Sequence, residues 1–495
     1  MSQSATGPSD SGSADRAEVG WDADVLIVGG GVCGAALLFE LARYTDLRRL
    51  TLVERYAELA QVNSKASSNS QTIHCGDIET NYSLEKALSV QRTAAMIGRY
   101  GDLLEPLVRD RCVFRTPKLV LAVGEEECRM LRQRFSQFAP HFPAMELLEA
   151  EQIAEWEPQV ALIDDKLRPE PIVAIGIRHS PTAVDYEALT FSFVDEARRA
   201  MASAERTLDL RLATTVERIE PEGEGFRVHL APSQLNAGGE THAPAATALL
   251  RARHVVVAAG AHSLLLAQRL GFGLEYSCLP VAGSFYFTPD LLNGKVYTVQ
   301  NDRLPFAAIH GDPDVRAPGQ TRFGPTALLL PLLERYRIAT FWDFLRVLRL
   351  DRAVVAVLWQ LFGVADIRNY ILRNLLFELP WIGRRLFLAD ARKIVPSLQL
   401  SDLRKARGYG GIRPQLIDRR SRRLLLGEIR IEAMPGLSFN VTPSPGGTCC
   451  LGNALRDLET IVARLGCRFE RERFERELGD PHPAVAEATN APQAA

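Results

Sequence analysis

Several things are missing from this 495-residue sequence, and each absence narrows what the chain can be. No apolar run reaches the roughly 18 residues needed to cross a bilayer as one helix. No C-x-x-C pair occurs among the eight scattered cysteines, and adjacent Cys449 and Cys450 are too strained for a routine disulfide. The thiols are therefore expected to be reduced and the compartment cytoplasmic. Neither sign of charge dominates: a net charge of −2 gives no global case for a nucleic-acid partner. Residues 1–20 lack the apolar core of a secretory signal. They and residues 479–495 offer little to bury and are expected to be disordered tails. There is no internal repeat.

What remains is the composition of a folded protein, 46% hydrophobic and 24% charged. The length exceeds a single ordinary core, so two intertwined domains are expected.

The chain is organised around residues 24–34, DVLIVGGGVCG. Asp24 to Val28 reads as a buried strand running into a glycine turn. Gly29, Gly31 and Gly34 form G-x-G-x-x-G. The first allows the tight turn, the second lets backbone approach a pyrophosphate, and the third lets the next helix pack close to the sheet. That helix, roughly Ala35 to Tyr44, aims its N-terminus at the phosphates. A second strand, LTLVE, ends in Glu54, twenty residues after Gly34 and suitably placed for ribose hydroxyls. A chance acid beside an ordinary glycine turn would not arrive with strand, turn, helix and strand in order.

Further along, Ser64 to Thr72, which includes Ser70, is small and polar and can lie against a cofactor. His74 follows one short loop beyond the dinucleotide unit. Glu79, Asn81 and Tyr82 come next, ahead of a helical pattern that opens at Ser83. Val216 lies in the strand TTVERIE and offers backbone to an adenine ring. The strand HVVVAAGAHS ends on Ala259-Gly260, where the chain is expected to return to the cofactor. LPFAAIHGDPD runs an apolar strand into a turn carrying His310 and Asp312, for which a solvated loop is the plain alternative. Arg413 sits between glycine and proline; its fork suits a carboxylate, with an interface ion pair as the alternative. Gly446, Gly447 and Thr448 precede a last helix whose free N–H groups could stabilise negative charge on a reduced flavin. A nicotinamide enzyme has no need of that late return, which favours FAD.

Residues 333–393 hold apolar helices studded with arginine, eleven Lys/Arg against six Asp/Glu. Such a basic surface rich in Trp, Phe and Leu suits the headgroup layer of a membrane. A helical subdomain packed on the core is the alternative.

Together the dinucleotide motif, SSNSQTIH, VVAAGAHS, G-x-R-P and SPGGT resemble the FAD-dependent D-amino-acid-oxidase-like superfamily. Within it, NSQTIHCGDIETNYS, PVAGSFYF, KVYTVQN, LPFAAIHGDPD, FGPTAL, GIRPQLIDR and NVTPSPGGT resemble malate:quinone oxidoreductases of the epsilonproteobacterial-type branch, from about Asp22 to about Glu477. The resemblance implies an α/β fold (α+β overall). A Rossmann-like FAD-binding domain (21–100, 181–270 and 408–478) is expected to intertwine with an antiparallel-sheet substrate domain (101–180 and 271–407). The helical segment 327–393 would belong to the latter as a membrane contact. FAD would be held by Gly29, Gly31, Gly34, Glu54, Ser70, Val216, Gly260, Gly446, Gly447 and Thr448.

The implied reaction oxidises (S)-malate to oxaloacetate by hydride transfer to flavin N5, and electrons pass to a membrane quinone. The implied location is peripheral, on the cytoplasmic face of the inner (plasma) membrane. His310, assisted by Asp312, is the expected base, with His74 as alternative base or hydrogen-bond donor. Arg413 is expected to bind one carboxylate, and no residue stands out for the second. The rival readings are a related FAD enzyme acting on another 2-hydroxy acid or glycerol phosphate, and a flavin-binding module without turnover.

Overall fold

The computed structural model describes residues 20–233, 235, 248–300, 309–379, 381–425, 427–443 and 446–479. The two tails expected to be disordered lie almost wholly outside the described residues, as do Ser444 and Pro445 of the closing glycine motif.

The described residues form two eight-stranded sheets. The first is built around Ala23–Val28, a strand buried along its whole length. It pairs in parallel with Arg49–Val53 on one side and Ala248–Val257 on the other. Thr207–Arg211 extends the sheet beyond Arg49–Val53. Parallel strands buried on both faces read as unbroken apolar runs, and these do. The other edge of Ala248–Val257 is shared by two partners. Its first half pairs antiparallel with Gly225–Pro232, and Val255 to Val257 pair in parallel with Leu437–Val441. The sheet thus draws on the beginning, middle and end of the chain.

One face of this sheet is covered by Val32–Tyr44, which starts nearer the glycine turn than the sequence suggests. Tyr186–Ser203 and Cys450–Leu465 pack against it. Phe39, Tyr44, Tyr100 and Phe193 form an aromatic knot between these layers, with Phe39 and Phe193 stacked at 5.5 Å. Asp185 fixes the start of Tyr186–Ser203 by accepting from the N–H groups of Glu187 and Ala188.

The second sheet runs, in spatial order, through Arg404–Lys405, Tyr286–Pro289, Gln320–Gly324, His310–Pro313, Lys295–Thr298, Lys118–Val123, Ile172–Ile177 and Glu146–Leu148. Every pairing is antiparallel except that of Lys295–Thr298 with Lys118–Val123, made after a long excursion through the first sheet. His310–Pro313, expected as a turn, is a central strand of this sheet. Its charges do not need solvent, because neighbouring strands supply Lys295 and Arg322 as partners.

A smaller antiparallel sheet joins Leu328–Leu329, Tyr276–Ala282, Ile412–Asp418 and Arg423–Leu425. Three helices, Phe341–Leu348, Arg352–Gly363 and Ala365–Phe377, pack over it, and Ile382–Ala391 follows them, packing through Phe387 on Tyr286 of the second sheet. Val354 and Val357 pack on Leu279 and Ile417 of the small sheet. Among the described residues no single helix is long and apolar enough to cross a membrane; Arg352–Gly363 and Ala365–Phe377 pass that test only as a pair bent by 91°.

Candidate active site

A single elongated cavity runs along the C-terminal ends of the first sheet's strands, from Glu54 and Val216 past Gly31 to Thr448 and Arg413. This is where an open α/β sheet binds its ligand. The glycine turn is built as the sequence suggests. Gly29 has φ +117°, and a Cβ there would lie 2.5 Å from the Ala258 carbonyl oxygen. At Gly34 a Cβ would lie 2.0 Å from the Gly29 carbonyl oxygen, so this glycine serves helix packing and does not line the cavity. Gly31 does line it. Ser64 Oγ accepts from the Val32 N–H at 2.9 Å and steadies the start of the helix.

Glu54 is held by the backbone N–H groups of Gly30 at 2.7 Å and Tyr56 at 2.9 Å. A carboxylate has about four acceptor positions, so two remain for ribose hydroxyls. Val216 lines the same end, and its strand bulges directly after it, which loosens the ladder where backbone would meet an adenine. Gly260 has φ +58° and nothing within 4 Å of a built Cβ, so the cavity wall here is bare backbone. Ser70, Gly446, Gly447 and Thr448 line the far half. Thr448 Oγ1 accepts from the His74 N–H at 3.1 Å and lies 3.2 Å from the Tyr186 hydroxyl. These residues fit FAD: acceptors where riboses would lie, bare glycine backbone where the pyrophosphate would pass, and a helix start at the far end.

At that far end His74 lines the cavity, and its Nδ1 lies 3.0 Å from Glu79 Oε1. Burial pushes the Glu79 carboxyl up, but the bond to His74 and its charge outweigh this and hold it below the usual carboxylate range. An ionised carboxylate only accepts, so Nδ1 carries a hydrogen; in the neutral ring Nε2 is then the nitrogen with the lone pair. The loop between them is anchored by a buried ion pair, Lys118 to Asp77 at 2.8 Å.

Arg413 lines the cavity beside Gly411, Ile412 and Pro414. Among the described residues no carboxylate or carbonyl pairs with its guanidinium. Burial lowers its pKa, countered by Tyr370, Tyr297 and Tyr82 nearby. An arginine kept out of bulk water without an anion is a site prepared for one.

His310 and Asp312 do not line the cavity. His310 is 1% exposed and stacks on Tyr297, with ring centroids 4.5 Å apart. The Tyr297 hydroxyl shares a hydrogen bond with Thr72, which does line the cavity. Tyr297 thus stands between His310 and the site, and the geometry does not support His310 as the base. Asp312 is engaged by Lys295 at 3.0 Å and Arg322 at 3.1 Å, which hold its carboxyl low despite burial. Arg322 also pairs with Asp314 and donates to the Asn69 and Ser70 carbonyls, and Lys295 donates to Ser70. This buried network fastens the cofactor-lining loop to the second sheet.

Two further sets escaped the sequence. Asn63 bonds both backbone groups of Ile412, tying the cofactor loop to the arginine strand. At the other end Arg55, Tyr56, His262, Glu334 and Asp343 interlock, with Glu334 accepting from Arg55 and Tyr56. Only Arg55-Tyr56, immediately after Glu54, offered a positional hint; the partners are more than two hundred residues away.

Comparison with known proteins agrees with this geometry. A family model described as FAD dependent oxidoreductase matches residues 24–452. The chain is 45% identical to a probable malate:quinone oxidoreductase of Campylobacter jejuni over 92% of its own length and 98% of that protein. It is 43% identical to the malate:quinone oxidoreductase of Helicobacter pylori, covering 92% and 97%. Among solved structures, an FAD-bound L-alpha-glycerophosphate oxidase of Mycoplasma pneumoniae superposes with TM-score 0.56 at 19% identity, covering 89% of this chain and 94% of that one. Glycine oxidase of Geobacillus kaustophilus gives 0.56 at 18%, covering 89% and 95%. At such identities these two share the fold.

Proposed function

The chain belongs to the malate:quinone oxidoreductases within the FAD-dependent oxidoreductase family, and on that premise we propose that His74 and Arg413 carry its reaction. The cofactor is FAD. The proposed reaction is oxidation of (S)-malate to oxaloacetate with electrons passed to a membrane quinone. Bound flavin supplies the hydride acceptor. Arg413 binds one malate carboxylate through its fork and fixes C2 against the flavin. His74 Nε2 takes the hydroxyl proton, and Glu79 holds the ring in that tautomer and stabilises the imidazolium that forms. The observation that carries this reading is the pairing, in the lining of one cavity, of an arginine without an anion and a histidine whose Nδ1 is held by a carboxylate.

The test is anaerobic. Malate added without acceptor should bleach the flavin, and a soluble quinone, but not NAD, should restore it. Bleaching by a different 2-hydroxy acid or glycerol phosphate alone would move the substrate. Should His74→Ala still bleach at the wild-type rate, the base assignment falls.

For location, we infer peripheral binding to the cytoplasmic face of the inner membrane through the outer helices. Most large apolar side chains that stand exposed lie between Tyr336 and Ile382, with Ile338 at 82%, Trp359 at 78% and Trp381 at 80%. Arg346, Arg349, Arg352, Arg368, Arg384 and Arg385 are exposed among them. Tryptophan at the headgroup level and arginine facing anionic lipid is the pattern of an interfacial surface. Trp359→Glu with Trp381→Glu should abolish sedimentation with anionic vesicles, and undiminished binding would refute the inference.

A further inference from the structure

The small sheet carries the outer helices, and its strand Ile412–Asp418 reaches the cavity through Ile412, Arg413 and Pro414. Its register places Leu329 opposite Val281 and Val281 opposite Arg413. Residues directly opposite in antiparallel strands point to the same face. Leu329, Val281 and Arg413 therefore form one row, which starts on an edge strand and ends on the cavity arginine. With strands about 4.8 Å apart, the row spans about 10 Å.

Helix Ala365–Phe377 roofs this row. Its Tyr370 packs with Val281, Ala327 and Leu329 in a small apolar cluster, and lies within electrostatic reach of Arg413. Asn374, one turn on, is buried and accepts from the Ala327 N–H at 2.7 Å, pinning the helix to the sheet edge. The same helix exposes Leu372, Leu375 and Leu376. One short helix thus links the exposed apolar surface to the surroundings of Arg413. The adjoining cavity wall is apolar as well, with Phe285, Pro325 and Pro414.

We propose that this seam, roofed by Tyr370 and floored by Leu329 and Val281, is where the quinone passes from the membrane surface to the cofactor cavity. The inference rests on the functional reading above. It adds the route and the ligand-contacting residues. The ligand chemistry is an apolar ring with polar oxygens on an isoprenoid tail. A row of aliphatic side chains suits the tail, and a tyrosine hydroxyl and arginine at the inner end suit the quinone oxygens. The net reaction balances: the hydride and the hydroxyl proton lost by malate correspond to the two electrons and two protons that convert quinone to quinol.

Two measurements test it on the FAD-loaded protein. A short-chain azidoquinone, photolysed in the presence of lipid vesicles and mapped by mass spectrometry, should label the 327–329 or 370 region, and excess unlabelled quinone should suppress the label. In stopped flow, Leu329→Trp, which fills the seam, should slow flavin reoxidation by the quinone at least tenfold. Flavin reduction by malate and reoxidation by ferricyanide should stay within twofold. Leu329→Ala, which widens the seam, should keep quinone reoxidation. Wild-type quinone kinetics in a folded Leu329→Trp, or a specific label elsewhere on the protein, would overturn the seam while leaving malate oxidation intact. A wild-type protein that malate does not bleach would instead overturn the functional reading, and the seam with it.

Discussion

Replacing Arg413 should pull stability and activity in opposite directions. In the substrate-free protein this guanidinium lines the cavity with no anion against it, and burial disfavours its charge. In the proposed malate complex, a fork-to-carboxylate pair would make two charge-assisted hydrogen bonds, each worth about 1.5–3 kcal/mol. Arg413→Lys keeps the charge and loses one bond, so kcat/KM should fall roughly 10- to 150-fold. Arg413→Met loses both, and the fall should be roughly 10²- to 10⁴-fold. Yet the methionine variant removes an uncompensated charge from a poorly hydrated wall, so its thermal midpoint without substrate should equal or exceed that of wild type. Malate should raise the midpoint of wild type and leave that of Arg413→Met unmoved. Differential scanning fluorimetry with and without malate, alongside steady-state kinetics, reads all four quantities. A destabilised Arg413→Met with unchanged kcat/KM would show that the arginine is a structural ion-pair partner, and the substrate role would be wrong.

Other outcomes follow from the packing. Gly34→Ala places a methyl 2.0 Å from the Gly29 carbonyl oxygen, backbone that cannot swing aside, and the purified protein should be colourless or insoluble. Asp312→Asn leaves Lys295 and Arg322 short of a buried counter-charge; chemical denaturation should show a loss of about 3–5 kcal/mol and the flavin should be released first. By contrast His310→Gln should keep flavin reduction within about threefold, and a loss matching His74→Ala would restore His310 as the base. His262 is lowered to about 4 by burial and by Arg55. The unfolded chain therefore binds more protons than the folded one between that value and the ordinary histidine value of about 6.5. Its contribution to stability is complete above about 6.5 and lost as pH falls through about 4. His262→Gln should flatten that part of the stability profile, and an unchanged slope would assign it to other groups.

How much of this was legible in the sequence depends on how local each interaction is. The glycine turn, Glu54 and the return strand at Val257 announce themselves because backbone sterics and apolar periodicity act over a few residues. Arg413 was legible because glycine and proline leave a lone arginine conspicuous. The His74–Glu79 pair, five residues apart, was present as two separate polar positions, but the loop that turns them towards each other is fixed by Lys118 from another strand. His310 misled for the opposite reason. A histidine and an aspartate two residues apart on a strand face the same side, so they look like a catalytic pair. Whether that side meets a ligand or another strand's lysine is decided by Lys295 and Arg322, which local sequence does not place. The same holds for Val281 and Leu329, whose row with Arg413 exists only through register.

The strand Ala248–Val257 takes its last parallel neighbour from Leu437–Val441, and Gly446 to Thr448 then close the cavity opened by Gly29. During synthesis, therefore, the nucleotide cradle emerges early and waits. Almost the whole polypeptide, including the exposed tryptophans of the outer helices, leaves the ribosome before the site can hold its flavin. A chain stalled or cleaved ahead of residue 437 would carry an exposed apolar surface on a protein with an open, half-paired sheet edge. Such fragments are candidates for rapid aggregation or proteolysis rather than for partial function. Flavin supply during expression should accordingly change the yield of full-length protein and leave the fate of shorter chains untouched.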